Sequence, residues 1–439
     1  MKQTLRACLA LVLVAIAALA QAQEAEPERL RIHGSNLIGQ QLAPSLVESW
    51  LRSIGYGDIR CVERGRARTE IFASRDGEPL VVEIDKRGTA SGFKDLVAGD
   101  AEIAMTARAP NAAEIDAAWQ LGDLHSPSQE WVLGLDGLVV LAGPGVKAKS
   151  LDMASLLQIV QGRIGNWSQL NQGEGAIVVH SLQDNSGTGE ALSALLLGGR
   201  RIPATIRRHR DIAGVIAAVR ADPNSLAIVS LRAQRAGLRP LAIENAGRAF
   251  LPDAAAIGAE DYPLLRRIHF HTGQLITALG RGFVQYAVSP EGQAVVARSQ
   301  FAAFDLHPVP PGPIVGAPED YRKLVAEATR LPVTLRFSTG LDLLDSRSRQ
   351  DLERLAAFMR RPENARRRLL LAGFANPQPG APFQSLFLSQ DRGDFVSAEM
   401  LSLNIKVVSV RGFGGNMRLA EANQPGAKFR NDRVEVWLR

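Results

Sequence analysis

Apolar and polar positions along the chain change period repeatedly. Leu30-Arg31-Ile32 alternates as a half-buried strand does, and Gly34-Ser35-Asn36 follows it. Ile38, Leu42, Leu46 and Trp50 then recur at four-residue spacing, which predicts a helix. Leu80–Ile84 is a predicted strand running into Arg87-Gly88-Thr89-Ala90-Ser91-Gly92. A helix carrying Phe93, Leu96 and Val97 comes next. Ile103–Met105 predicts a strand ending at Thr106-Ala107-Arg108. Ala176–Val179 predicts another, feeding Asp184-Asn185-Ser186-Gly187-Thr188 and a helix with Leu192, Leu195 and Leu196 that stops at Gly198-Gly199. Recurrent strand–loop–helix units of this kind predict an α/β sheet.

Four predicted strands thus end in small, hydroxyl-bearing loops. In open α/β sheets, ligands bind beyond the carboxyl ends of strands. The loop at Ser186 opens a helix, where free N–H groups and the helix dipole favour an anion. The same residues suit ordinary helix capping, and both readings stand at this point. Pro308–Pro318 is rich in Pro and Gly and reads as a short stiff linker. A helix (Asp320–Thr329) follows it. The pattern beyond predicts a small α+β unit: strand Pro332–Phe337, helix Ser346–Met359, strand Arg368–Gly373, helix Ser389–Leu401 and strands Val407–Val410 and Asp432–Leu438.

The first 22 residues read as a cleavable export signal: Lys2 and Arg6, an apolar run Leu9–Leu19, then Ala20-Gln21-Ala22. That run is short for a membrane span, and Cys8 is too early for a lipid-modified cysteine. Beyond the signal only Cys61 remains, so no intrachain disulfide is expected. The formal net charge is +6, and residues 330–439 carry 18 Lys and Arg against 11 Asp and Glu. The basic balance belongs to the tail. It suits solubility or contact with an acidic envelope polymer.

Other chemistry is thin. His269 and His271 share one face of a predicted strand, but no further ligand is near in sequence, so no metal site is expected. His180, Asp184 and Ser186 lack a nucleophile turn and lie too close together for triad geometry, so no enzyme is expected. Arg360, Arg361 and Arg366–Arg368 read as a solvated cluster. Nucleic acid is not an expected partner of an exported chain, nor is a membrane span expected.

Residues 29–306 resemble the phosphate-binding (PstS-like) proteins of ABC importers. The resemblance is carried by Gly34-Ser35-Asn36, Gly88–Gly92 and Ala101–Arg108. It extends to Ile159–Trp167 (the I-x-x-G-x-I-x-x-W pattern), Asp184–Thr188, Tyr262-Pro263-Leu264 and Ser289–Gln293. It implies a two-lobed periplasmic binding protein of type II, with one lobe at about 29–144 and 232–306 and the other at about 145–231. The implied ligand is a small oxyanion, phosphate first, held by Ser35, Asn36, Thr89, Ser91, Thr106, Ser186, Gly187 and Thr188. Two positions depart from the family. Leu182 stands where an arginine is common, and Ala107 stands where an aspartate accepts the proton of hydrogen phosphate. The adjacent Arg108 is a candidate for the missing positive charge.

Residues 331–439 resemble the OmpA-like peptidoglycan-binding domain. Leu335-Arg336-Phe337, Leu388–Arg392, Gly412-Phe413-Gly414, Asn423 and Asn431–Val436 carry that resemblance. It implies wall binding through Arg392 and through Asn376, which replaces the family's aspartate. The combined expectation is an α/β two-lobed protein followed by a small α+β domain, without enzyme activity or cofactor. It would be tethered to peptidoglycan in the periplasm, with an ABC permease or envelope sensor as a further partner. The alternative is an envelope interaction protein whose anion cleft is degenerate.

Overall fold

A computed structural model describes residues 27–184, 186–233, 237–310, 316–338, 343–424 and 426–439. The expected export signal, Asn185 and residues 311–315 of the Pro-rich stretch lie outside the described residues.

The chain opens with β1 (Glu28–Gly34), β2 (Gly57–Arg64), β3 (Arg68–Arg75), β4 (Glu78–Asp85), β5 (Ile103–Thr106) and β6 (Glu130–Ala142). β1 lies between β4 and β5, parallel to both, and β2 and β3 extend the edge as an antiparallel meander. Then come β7 (Ser150–Asp152), β8 (Val179–Leu182), β9 (Arg207–His209), β10 (Leu226–Ser230), β11 (Arg239–Pro240), β12 (Ala242–Asn245), β13 (Arg248–Phe250) and β14 (Leu265–Thr272). The long sheet runs β2-β3-β4-β1-β5-β14-β6-β10-β8-β9, with β11 also on β6; β13-β12-β7 form a small separate sheet.

β6 belongs to both halves of the long sheet. Its first residues, Glu130–Gly137, pair with β14, and Leu138–Ala142 pair with β10. Each half has its own core. Leu30, Ile32, Leu46, Trp50, Ile84, Phe270 and Phe283 fill the first. Leu138, Val140, Leu156, Trp167, Leu192, Ile228 and Tyr262 fill the second. The four-residue stripe from Ile38 to Trp50 forms two helices, Asn36–Gly39 and Leu42–Ser53, rather than one. The strand expected at Ala176–Val179 lies further on, at β8.

Beyond the Pro-rich stretch a helix covers Glu319–Val325, and the chain is already extended at Thr329, where the expected helix ended. β15 (Thr329–Arg336), β16 (Leu369–Phe374), β17 (Val407–Gly412) and β18 (Arg433–Leu438) form a sheet ordered β15-β18-β16-β17. Strict alternation gives it two different faces. Leu331, Val333, Leu371 and Val434 pack under Leu352, Leu355, Val396 and Met400 of the helices Ser346–Met359 and Pro382–Ser402. Arg336, Arg433 and Glu435 alternate with them and point to the other face.

That second face meets the first part of the chain. Glu260, largely buried and held at φ 55, accepts a hydrogen bond from Arg267 Nε at 2.6 Å and forms ion pairs with Arg347 Nη1 at 2.9 Å and Arg336 Nε at 3.4 Å. Arg267 also reaches Asp345 at 2.7 Å, and Arg330 joins Asp261 at 3.4 Å to Glu435 at 2.9 Å. Burial alone pushes the Glu260 carboxyl up, but Arg267, Arg347 and Arg336 outweigh it and hold it well below the usual range. Burial likewise pushes Glu435 up. Arg330 and Arg433 reverse this and hold it at about 2. These contacts join the C-terminal sheet directly to residues 260–267. Val309 itself pairs with Arg330.

Removing one partner from a buried ion cluster strands the others, so Glu260→Gln should lower unfolding stability by roughly 3–5 kcal/mol in denaturant titrations. Glu260 and Glu435 have depressed folded pKa values, so their contribution is complete above the unfolded value of 4.5 and lost as pH falls toward 2. Stability measured from pH 6 to pH 2.5 should fall below pH 4.5, and less steeply in Glu260→Gln.

Candidate functional site

Three strand ends of the first half converge through their backbones. Gly34 adopts φ +138, and a Cβ there would lie 2.1 Å from Met105 O. Glycine alone fits. The turn it makes lets Ser35 N–H donate to Met105 O at 2.8 Å and Gly88 N–H donate to Gly34 O at 2.7 Å. Ala107 N–H donates to Thr89 Oγ1 at 3.2 Å. Ser35, Thr89 and Thr106 are thus neighbours. Ser35 is 1% exposed, does not cap the helix after it, and its Oγ has no hydrogen-bond partner among the described residues. Asn36 opens that short helix. Thr106 is fully buried, with Oγ1 3.1 Å from His271 Nδ1. Ser91 Oγ donates to Gly88 O at 2.7 Å.

The second half meets this point at the helix Gly187–Leu196. A Cβ on Gly187 would lie 2.6 Å from Leu37 Cδ1, so the two halves touch there. Thr188 is buried. Ser186 behaves as an ordinary cap: its Oγ accepts from Gly189 N–H at 3.1 Å and donates to Gln183 O at 2.6 Å. Leu182 packs among apolar residues of the second half.

Arg108 does not supply a free charge. Its guanidinium forks onto Glu114 at 2.6 and 2.7 Å, and Glu114 is fixed by a capping box with Asn111. The cation beside the Ser186–Thr188 loop is Arg266, which the sequence reading passed over. Its Nη2 donates to Gly187 O at 3.2 Å, and it pairs with buried Asp136 at 2.8 Å. The only nearby signal was Tyr262-Pro263-Leu264, just before β14. Glu190, in the first turn of the same helix, is pushed up by burial.

The histidines gather more company than their spacing showed. Glu130 Oε1 lies 3.6 Å from His269 Nε2, 3.7 Å from His271 Nε2 and 4.0 Å from His125 Nδ1. Burial raises the Glu130 carboxyl, but His271 and His269 outweigh it and hold it at about 2. Burial pushes His269 down to about 3. Among the described residues no group of three or more has the arrangement to hold a metal ion. His180, Asp184 and Ser186 have separate partners: His209 at 2.9 Å, Arg208 at 2.6 Å and Gln183.

A cavity of about 990 Å³ opens beside the hydroxyl cluster, between both halves and the C-terminal unit, with Arg108, His125, Glu130, Leu195, Arg336 and Phe429 in its wall. In the C-terminal unit, Arg392 forks onto Asp432 at 2.9 and 3.0 Å. Asn376 N–H donates to the same carboxylate at 2.6 Å, and Lys428 also pairs with it.

Among curated proteins nothing matches this chain. Solved structures do. An ABC-type phosphate transport receptor from Vibrio cholerae is 17% identical at TM-score 0.50, over 63% of this chain and 99% of that one. A possible phosphate binding protein from Planctomyces limnophilus is 16% identical at TM-score 0.50, over 64% and 94%. PstS from Borrelia burgdorferi is 20% identical at TM-score 0.49, over 63% and 98%. At such identities the first two show a shared fold. A family model for the PBP superfamily domain matches residues 69–291, and the chain belongs to that superfamily.

Proposed function

We propose that this is an exported, non-enzymatic periplasmic binding protein that holds a small tetrahedral oxyanion, inorganic phosphate first, between the two halves of its long sheet. We take the second half to include Leu138–Ala142 and Leu241–Leu264 as well as about 145–231, because residues of these stretches share its core, in place of the expected lobes at about 29–144 with 232–306 and at about 145–231. One observation carries the reading: Ser35 Oγ is buried without a partner among the described residues, where Thr89 and Thr106 converge and Gly187 closes from the other side. An unpaired buried hydroxyl is costly, and an anion's oxygen satisfies it. Hydroxyls and the N–H groups opening the Gly187–Leu196 helix supply donors without adding charge, and Arg266 contributes a cation next to them. Among the described residues no helix is long and apolar enough to cross a membrane.

Calorimetry of the full chain with phosphate should give saturable binding. Ser35→Ala and Thr188→Val should each weaken it roughly tenfold or more, at about 1–3 kcal/mol per lost partner. Absence of heat from folded protein would favour the alternative, an interaction protein with a degenerate cleft, for which Leu182 and the engaged Arg108 speak.

A second reading concerns the C-terminal unit. Asn376 and Arg392 meet on one carboxylate, that of Asp432. A site that grips a carboxylate is suited to a wall peptide, which would have to displace Asp432. Retention on purified peptidoglycan should rise in Asp432→Asn and disappear in Arg392→Ala. Equal retention in all three proteins contradicts a tether at this site.

A further inference from the structure

Arg360, Arg361 and Arg366–Arg368 take no part in the sites described above, yet the fold gathers them at one end of the C-terminal sheet. β16 and β17 start there side by side and parallel, and β18 ends there, with Leu438 opposite Leu369. Arg368 and Arg439 exchange backbone hydrogen bonds at 2.8 and 2.9 Å, and Leu369 N–H donates to Lys406 O at 3.2 Å. The helix Ser346–Met359 runs out into the same loop. Arg361 N–H donates to Phe358 O at 3.2 Å, Asn364 N–H to Arg361 O at 2.9 Å and Arg367 N–H to Asn364 O at 2.9 Å. Asn364 is buried beneath this turn, with Nδ2 donating to Phe358 O at 2.9 Å. The loop is thus held in place, and it sets five arginines and Lys406 around the start of β16.

Arg360, Arg361, Arg366, Arg367 and Lys406 are exposed, and Arg368 is half-buried. Among the described residues none of the six forms an ion pair, whereas Arg439 beside them is matched by Glu327. Glu363 lies within the loop, and Glu399 is half-buried in the last turn of the helix Pro382–Ser402, so cations outnumber carboxylates at this end. Arg361 lies over the Phe358 ring at 5.4 Å, and Arg368 Nη1 donates to Arg367 O at 2.8 Å. Both guanidinium groups are steadied with most of their donors still free for phosphate oxygens. Leu401, in the last turn of the same helix, is 70% exposed, and Val408 is 54% exposed. The carbonyl of Leu401 accepts Asn404 N–H at 2.9 Å, just before Lys406. A hydrated polyanion offers nothing to an apolar side chain held out among cations. A bilayer surface offers it the headgroup–acyl boundary. We propose that this end of the C-terminal unit docks on the headgroup phosphates of an anionic phospholipid bilayer, with Leu401 entering that boundary. Asn376 follows the far end of β16, roughly 25 Å away at about 3.3 Å per residue, so the patch is separate from the Arg392 site.

The test is cosedimentation of residues 23–439, the chain without its expected export signal, with vesicles of phosphatidylcholine alone and with vesicles in which about a third of the lipid is phosphatidylglycerol. The chain should bind the anionic vesicles and not the neutral ones, and about 0.5 M NaCl should release it. The triple variant Arg361→Gln, Arg366→Gln, Arg367→Gln should bind about a hundredfold more weakly, since each Lys or Arg at such a surface contributes roughly fivefold. Leu401→Gln should weaken binding about threefold to tenfold. A control with the same loss of charge at exposed positions elsewhere, Lys94→Gln, Arg201→Gln, Arg210→Gln, should bind within about twofold of the unaltered chain. Undiminished binding by the folded triple variant, or an equal loss in the control, overturns the proposal. So does binding of the unaltered chain that ignores lipid charge or salt, a readout that survives if a variant fails to fold. Binding to soluble long-chain polyphosphate with none to vesicles assigns the patch to a polymer and overturns the lipid reading.

Discussion

Glu260 sits inside the protein as an anion, with guanidinium groups from three elements around it: Arg267 of β14, Arg336 of β15 and Arg347 of the helix Ser346–Met359. A carboxylate so deeply buried is tolerable only while those cations stay in place. The cluster therefore fixes the C-terminal sheet against β14, the strand that shares β6 with the second half. Other contacts widen the join. Ser346 donates to His125 O at 3.0 Å, and Arg347 and Arg354 lie over Phe304, all on the first half. Asn245 donates to Leu419 O at 2.9 Å and Arg248 to Met417 O at 3.1 Å, on the second. The C-terminal unit thus spans both halves. A closing motion of one half against the other must break or slide one of these sets of contacts.

This arrangement changes what the fusion means. A flexible tether would leave the binding half of the chain indifferent to its partner domain. Here the β15–β18 face forms part of the wall of the cavity beside the hydroxyl cluster. On the proposed reading, ligand closure and C-terminal docking draw on the same contacts, and anything that loosens Glu260 or its arginines reaches the proposed cleft through β14. Fold alone does not decide among capture, sensing and transport, because function lives in the site and its partners. What the site offers is donors: Ser35, Thr89, Thr106 and the N–H groups at Gly187 and Thr188, with Arg266 nearby.

Elements with a strong local pattern were legible in the sequence. The helix Ser346–Met359 follows from Asp345, whose side chain accepts Ser348 N–H, and from Leu352, Leu355 and Phe358 on its buried side. β1 and β5 follow from short apolar runs ending in Ser35 and Thr106. The β2–β3 meander was not legible, because Asp58, Arg60, Cys61 and Glu63 leave most of β2 exposed. β6 shows no alternation, because nearly all of Glu130–Ala142 is buried on both sides. β8 begins three residues later than the apolar run suggests, since His180 and Ser181 are buried polar residues. Pro382 opens its long helix well before the Ser389 that periodicity indicated. The hydroxyl loops were readable because each ends its own strand. Arg266, Glu130, Arg336 and Arg347 were not, because their roles depend on partners dozens of residues away.

The most direct measurement is a crystal structure of the full chain grown with phosphate. The account predicts one phosphate between the two halves, with an oxygen in hydrogen-bonding reach of Ser35 Oγ and another at the N–H groups of Gly187 and Thr188. Phosphate seated only among the arginines of the adjoining cavity, or a well-ordered cleft in which Ser35 Oγ still lacks a partner, would contradict it.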